Sequence, residues 1–142
     1  MLNWTLTHDT IEKNELDKLS KFIKSTDKLT YGEQTELFEK NFSDWNQTKY
    51  SLMVNSGSSA NLAMAIALKK FLNKDRIKIG ISSLTWSTSV SPFSLLGYDI
   101  YFYDSQINNF GINKKDLIDS ITNQKIDAIL ITHILGFPSV DE

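Results

Sequence analysis

Three observations in the sequence predict an α/β fold, a mostly parallel sheet wound with helices. From about residue 50 the chain alternates short apolar runs with helical periodicities, strand then helix. Most of the six glycines and two prolines fall at the joints between these runs. One joint, Val54-Asn55-Ser56-Gly57-Ser58-Ser59-Ala60-Asn61, lies between an apolar run and an Ala-rich helical run and has the composition of an anion cradle.

The elements follow in order. Leu16, Leu19, Phe22 and Ile23 mark one face of a first helix, and Leu37, Phe38, Phe42 and Trp45 mark a second that follows Thr30-Tyr31-Gly32. Tyr50 to Val54 reads as a strand and Ala60 to Phe71 as a helix, while Ile77, Ile79 and Ile81 alternate as a strand does. Thr85 can cap a helix from Trp86 to Leu96, which Gly97 ends. A strand at Ile100 to Tyr103 comes next, followed by a helix that Asn113 caps and that carries Leu117, Ile118 and Ile121. Ala128 to Thr132 is a buried-type strand running into a loop from His133 to Glu142. This divides the chain into an N-terminal helical segment, 1–48, and an α/β part, 49–142. The chain stops after a strand and loop with a sheet edge uncovered, so it reads as incomplete: a fragment, or a chain that pairs with another polypeptide.

Composition excludes several classes. With 142 residues, 41% apolar and 23% charged, the chain can bury a core. Its net charge of -2 is spread without blocks, which argues against nucleic-acid and membrane surfaces. The absence of cysteine removes disulfides and thiolate metal sites and suits a reducing, cytoplasmic compartment; no metal site is expected. Met1-Leu2-Asn3-Trp4-Thr5 has no basic start followed by an apolar run, so the sequon-like triplets at Asn3, Asn41 and Asn46 carry no meaning.

The candidate site rests on Gly57, Ser58 and Ser59. A helix opening at Ser58 or Ser59 leaves its first N–H groups without internal partners, and its dipole directs positive charge to the same place. The serine hydroxyls can add hydrogen bonds to phosphate oxygens, and Gly57, lacking Cβ, lets backbone approach closely. The alternative is that Ser56 to Ser59 only cap an ordinary helix.

Four blocks in one order and spacing carry a resemblance: Gly32-Glu33-Gln34-Thr35-Glu36-Leu37-Phe38-Glu39-Lys40, Asn55 to Leu62, Leu84-Thr85-Trp86-Ser87-Thr88-Ser89-Val90-Ser91-Pro92, and Thr132-His133-Ile134-Leu135-Gly136-Phe137-Pro138. Together they resemble the DegT/DnrJ/StrS family of pyridoxal-phosphate sugar aminotransferases, from about residue 28 to the end. The resemblance implies the large domain of an aspartate-aminotransferase-like fold (fold type I) and pyridoxal 5′-phosphate as cofactor. It also implies that Gly57, Ser58 and Ser59 hold the 5′-phosphate while Trp86 stacks on the pyridine ring. His133 is expected to be a structural hydrogen-bonder, Asp104 structural, and Lys69, Lys70, Lys114 and Lys115 solvated. The Schiff-base lysine is expected beyond Glu142, as is the acid that holds the pyridinium nitrogen, so residues 1–142 alone should have no transaminase activity. The whole enzyme is expected to be a homodimer that passes an amino group from an amino-acid donor to a nucleotide-linked keto-sugar, in cell-surface polysaccharide synthesis. Two alternatives stay open. One is the family branch that dehydrates a nucleotide-linked keto-deoxysugar at carbon 3, where a histidine replaces the lysine. The other is a non-catalytic, flavodoxin-type flavin or nucleotide-phosphate binding module.

Overall fold

The computed structural model describes residues 9–123 and 125–139; the readings of Met1 to Thr5 and of Val140 to Glu142 fall outside them. The chain divides into two units, Met1–Met53 and Val54–Glu142.

The first unit holds two helices. In α1 (Lys13–Ser25), the Glu12 N–H that opens the helix donates to the Glu15 carboxylate at 2.8 Å. Gly32 stands at the start of α2 (Glu33–Asn46), and Gln47 closes it in the left-handed region at φ 55°. Along α2 the rings of Phe38, Phe42 and Trp45 pack in series, with centroids 5.8 and 5.5 Å apart.

Tyr50 to Val54 is not a strand. A strand needs a ladder partner, and no segment among the described residues pairs with it. Residues 50–53 are tied instead to α2. Ser43 Oγ donates to Ser51 Oγ at 2.8 Å, and the Glu39 carboxylate accepts both Met53 N–H and the Tyr31 hydroxyl at 2.7 Å. These bonds lie within the first unit, which ends at Met53.

In the second unit α3 (Gly57–Leu72) leads to β1 (Lys78–Ser82), α4 (Ser87–Leu95), β2 (Asp99–Tyr103), α5 (Lys114–Thr122) and β3 (Ala128–Leu130), followed by a 3-10 turn, Ile134–Gly136. The sheet is parallel throughout, in the order β2-β1-β3, with Ile79 opposite Ile100 and Ala128. The chain leaves β1 for β2 on one side and returns past β1 to β3 on the other. The switch point of this wound sheet therefore lies between β1 and β3.

One face of β1 supplies the core. Ile79 and Ile81 are fully buried with Ile77, Ala65, Phe93 and Tyr98. Each buried isoleucine contributes about 1.5–3 kcal/mol. Tyr98 packs edge-on against Phe93 at 5.1 Å and donates its hydroxyl to Ala65 O at 2.6 Å, so the buried phenol is satisfied and its pKa is raised by burial. On the opposite face Gly80 leaves room for the Tyr103 ring, which a Cβ would meet at 2.5 Å.

Acidic side chains fasten the amino-terminal ends of the strands. Asp127 pairs with Lys74 at 2.5 Å and accepts Lys78 N–H at 2.9 Å, while Asp99 pairs with Arg76 at 2.8 Å. The carboxyl-terminal ends carry the loops of interest.

One detail of α4 departs from expectation, and a second bears on the site. The helix begins at Ser87 with Trp86 at its N-cap, so Thr85 does not cap it; the Thr85 hydroxyl is engaged with that of Thr132 at 2.8 Å. Pro92 also lies inside the helix, buried. Proline has no N–H, so the carbonyl four residues earlier, Thr88 O, loses its helical donor. Asn61 Nδ2 of α3 takes that place at 3.1 Å, which docks the first turns of α3 and α4 together. Gly97 then ends the segment at φ 75°, a conformation suited to glycine.

Candidate functional site

The helix expected to open at Ser58 or Ser59 opens at Gly57, with Ser56 as its N-cap. Ser56 Oγ accepts Ser59 N–H at 3.1 Å and donates to Ser59 Oγ at 3.1 Å, and Ser59 Oγ in turn donates to Asn55 Oδ1 at 2.6 Å. The capping reading is thus correct for Ser56. It does not use up the turn.

The N–H groups of Gly57 and Ser58 and the Ser58 hydroxyl have no hydrogen-bond partner among the described residues. Gly57 and Ser58 are both exposed. The first turn of α3, like that of α4, has no acidic residue to neutralise the helix dipole, whereas α1 and α5 carry one there and α2 carries two. Two free N–H groups, a free hydroxyl and an uncompensated dipole suit a phosphate dianion. The three residues expected to share this task are divided: Gly57 and Ser58 present donors, while both donors of Ser59 are engaged within the turn.

Trp86 lies at the carboxyl end of β1, where three strand ends are stitched together. Ser82 and Ser105 hydroxyls lie 2.8 Å apart, Ser83 N–H donates to Tyr103 O at 2.8 Å, and the Thr85–Thr132 pair bridges β1 and β3 at the switch point. The indole is 75% exposed in residues 1–142. A broad, flat, polarisable face is thereby presented to solvent. The Asn61 bond to Thr88 joins the α3 turn to the helix that Trp86 starts.

The remaining residues have plainer roles. His133 is exposed and its Nδ1 accepts Ser139 N–H at 3.1 Å, while Ser139 Oγ donates to Thr132 O at 2.5 Å, folding the loop after β3 back on itself. Asp104 accepts the N–H of its neighbour Ser105 at 2.9 Å. Lys70, Lys114 and Lys115 are exposed. Lys69 is not simply solvated: half-buried, it donates to Leu96 O at 3.0 Å and closes the end of α4. No group of three or more His, Asp or Glu side chains able to hold a metal occurs among the described residues, and no helix there is long and apolar enough to cross a membrane.

Sequence reasoning does not single out Asn55, Asn61 or Thr132. For Asn61 a signal exists, since Pro92 predicts an orphan carbonyl at Thr88 that some nearby donor must satisfy.

Comparison with known proteins identifies the family. Residues 9–141 match the model of the DegT/DnrJ/EryC1/StrS aminotransferase family. The chain is similar to GDP-4-keto-6-deoxy-D-mannose 3-dehydratase of Yersinia pseudotuberculosis, 35% identical over 98% of this chain and 36% of that protein. GDP-perosamine synthase of Escherichia coli O157:H7 is 26% identical over 87% of this chain and 33% of its own length. Among solved structures, GDP-4-keto-6-deoxymannose-3-dehydratase with a trapped PLP-glutamate geminal diamine superposes with a TM-score of 0.75 at 32% identity, over 91% of this chain and 34% of that one. The chain thus spans about a third of the length of the relatives it matches. It belongs to the DegT/DnrJ/EryC1/StrS aminotransferase family, a family of enzymes that depend on pyridoxal phosphate and include the 3-dehydratase branch. The flavodoxin-type alternative is set aside accordingly.

Proposed function

We propose that this member of the family serves a pyridoxal-phosphate enzyme acting on a GDP-linked 4-keto-6-deoxysugar, and that the reaction is removal of the hydroxyl at carbon 3. The cofactor part of this reading is carried by the free donors at Gly57 and Ser58. The choice of reaction is supported by the 35% identity to the Yersinia dehydratase across 98% of the chain, against 26% across 87% for the perosamine synthase.

In this reading the Gly57 and Ser58 N–H groups and the Ser58 hydroxyl hold the 5′-phosphate, and Ser59, with Ser56 and Asn55, keeps the turn in shape. Trp86 covers one face of the pyridine ring and excludes water from it. The Thr85–Thr132 bond fixes the loop that carries Trp86, and the segment from Val54 onward forms the first part of the cofactor-binding domain. When bound, the cofactor would supply an electron sink that stabilises negative charge developing on the carbon bonded to its nitrogen. Glutamate as the amino-acid donor is supported by the ligand trapped in the solved dehydratase. We place the enzyme in the cytoplasm, as a homodimer.

The second reading is amino transfer to the same class of sugar, favoured by the name of the perosamine synthase relative. The residue that separates the two, a lysine or a histidine at the imine position, is expected beyond Glu142. The test is to incubate the full-length protein with pyridoxal phosphate, glutamate and a GDP-4-keto-6-deoxysugar and to weigh the sugar product. A nitrogen-free 3-deoxy sugar supports dehydration, a 4-amino sugar supports amino transfer, and neither product together with no cofactor retention refutes both.

A further inference from the structure

The two halves of the candidate cofactor seat stand on different helices. Phosphate donors open α3 and Trp86 opens α4, yet a single rigid ligand must reach both, so the spacing between these helix starts has to be set by something. Among the described residues one side-chain hydrogen bond joins the two first turns, Asn61 Nδ2 to Thr88 O at 3.1 Å. That acceptor is available because Pro92 has no N–H to offer the carbonyl four residues back. Asn61 and Thr88 are both half-buried, so water competes poorly for the carbonyl once the helices are docked.

We propose that Asn61 is a positioning residue for the cofactor: by satisfying the carbonyl that Pro92 orphans, it sets the distance between the phosphate turn at Gly57–Ser58 and the indole of Trp86. The inference rests on the reading that these residues hold pyridoxal phosphate. It adds a role for two residues, Asn61 and Pro92, that lie outside the phosphate turn and the indole.

The arrangement makes a prediction specific to its logic. Replacing Pro92 by alanine restores an N–H that can bond Thr88 O within the helix, so Asn61 becomes redundant. The experiment uses the full-length protein with Trp4, Trp45 and every tryptophan that follows Glu142 replaced by phenylalanine, so that Trp86 is the reporter. Pyridoxal phosphate is titrated while tryptophan quenching is followed, well below the melting temperature.

Asn61→Ala should weaken cofactor binding by about 2- to 10-fold, the value of one such hydrogen bond, and lower the quenching at saturation. Asn61→Asp has the same shape without the donor and should be at least as weak. In a Pro92→Ala background, Asn61→Ala should change the affinity by less than about 2-fold, because the helix closes its own bond. A residue that only stabilised the fold would lower the melting temperature without altering quenching at saturation, and that result overturns the proposal. Equal losses with and without the Pro92→Ala change overturn it as well. If cofactor addition to the reporter protein gives no quenching at all, the placement of Trp86 against the ring fails first and takes this inference with it. Normal quenching in the parent with no effect of Asn61→Asp sinks the inference alone.

Discussion

Ser56, Ser58 and Ser59 sit within four residues of one another, yet the hydrogen bonds assign them different work, and substitution should separate them in two assays. Ser58→Ala deletes a hydroxyl that bonds nothing in the turn, so the fold loses almost nothing. A bound phosphate loses one hydrogen bond to a charged group, about 1.5–3 kcal/mol, or roughly 10- to 100-fold in Kd. Ser56→Ala does the reverse. It removes the acceptor of Ser59 N–H and a donor to Ser59 Oγ, an N-cap loss of about 1 kcal/mol in stability, while the free donors of Gly57 and Ser58 remain. Ser59→Ala should resemble Ser56→Ala, because the hydroxyl it deletes donates to Asn55 at 2.6 Å. Absorbance titration with pyridoxal phosphate reads the first effect and thermal unfolding of the cofactor-free protein reads the second. If Ser58→Ala retains the cofactor as the parent does, or if all three variants weaken binding alike, the division of labour is wrong.

Other outcomes follow from the same structure. Trp86→Ala, at a side chain 75% exposed, should shift stability by no more than about 0.5 kcal/mol but abolish most of the tryptophan quenching on cofactor addition. Gly111→Ala places a Cβ against the backbone carbonyl of Ser139, so it should cost about 1–3 kcal/mol and disturb the loop at His133, both visible by thermal unfolding and amide exchange. Glu39 has its pKa lowered by the Met53 N–H and then by the Tyr31 hydroxyl. Its bonds therefore stabilise the fold in full above the ordinary carboxylate range, and that stability is lost as pH falls through the depressed folded value. Glu39→Gln should flatten the acid side of the stability–pH curve, and an unchanged slope would show that another carboxylate controls it.

How much of this is legible in the sequence depends on how local the determining physics is. The helices and β1 to β3 follow from periodicity and caps within a few residues: Asn113 bonds Lys115 N–H at 2.9 Å and starts α5 where its side chain predicts. Tyr50 to Val54 defeats the same reading because a short apolar run says only that a strand is possible. Pairing is a property of two segments, and here Glu39 and Ser43 claim the backbone and side chains of residues 50–53 first. Thr85 shows the same limit at a single residue, since a threonine before a helix has two possible partners and the nearer is the usual one. The hydroxyl of Thr132, brought alongside by the parallel pairing of β1 with β3, takes it instead.

The candidate site divides along the same line. Gly57, Ser58 and Trp86 are readable because each is tied to a local event, the opening of a helix, and free donors at a helix start are dictated by backbone geometry whatever the tertiary fold. Ser59 is not, because its hydroxyl is claimed by Asn55, four residues back and outside the helix, a competition that composition cannot rank. Asn61 lies between these cases. A proline inside a helix announces a missing donor and names the orphan carbonyl by subtraction of four, so Pro92 points at Thr88 from sequence spacing alone. Only the docking of α3 on α4 can say that the replacement donor comes from the helix carrying the phosphate turn. A defect in one helix thus becomes the attachment point of another. The joint falls between the two ends of the proposed cofactor seat, where a fixed spacing is most needed.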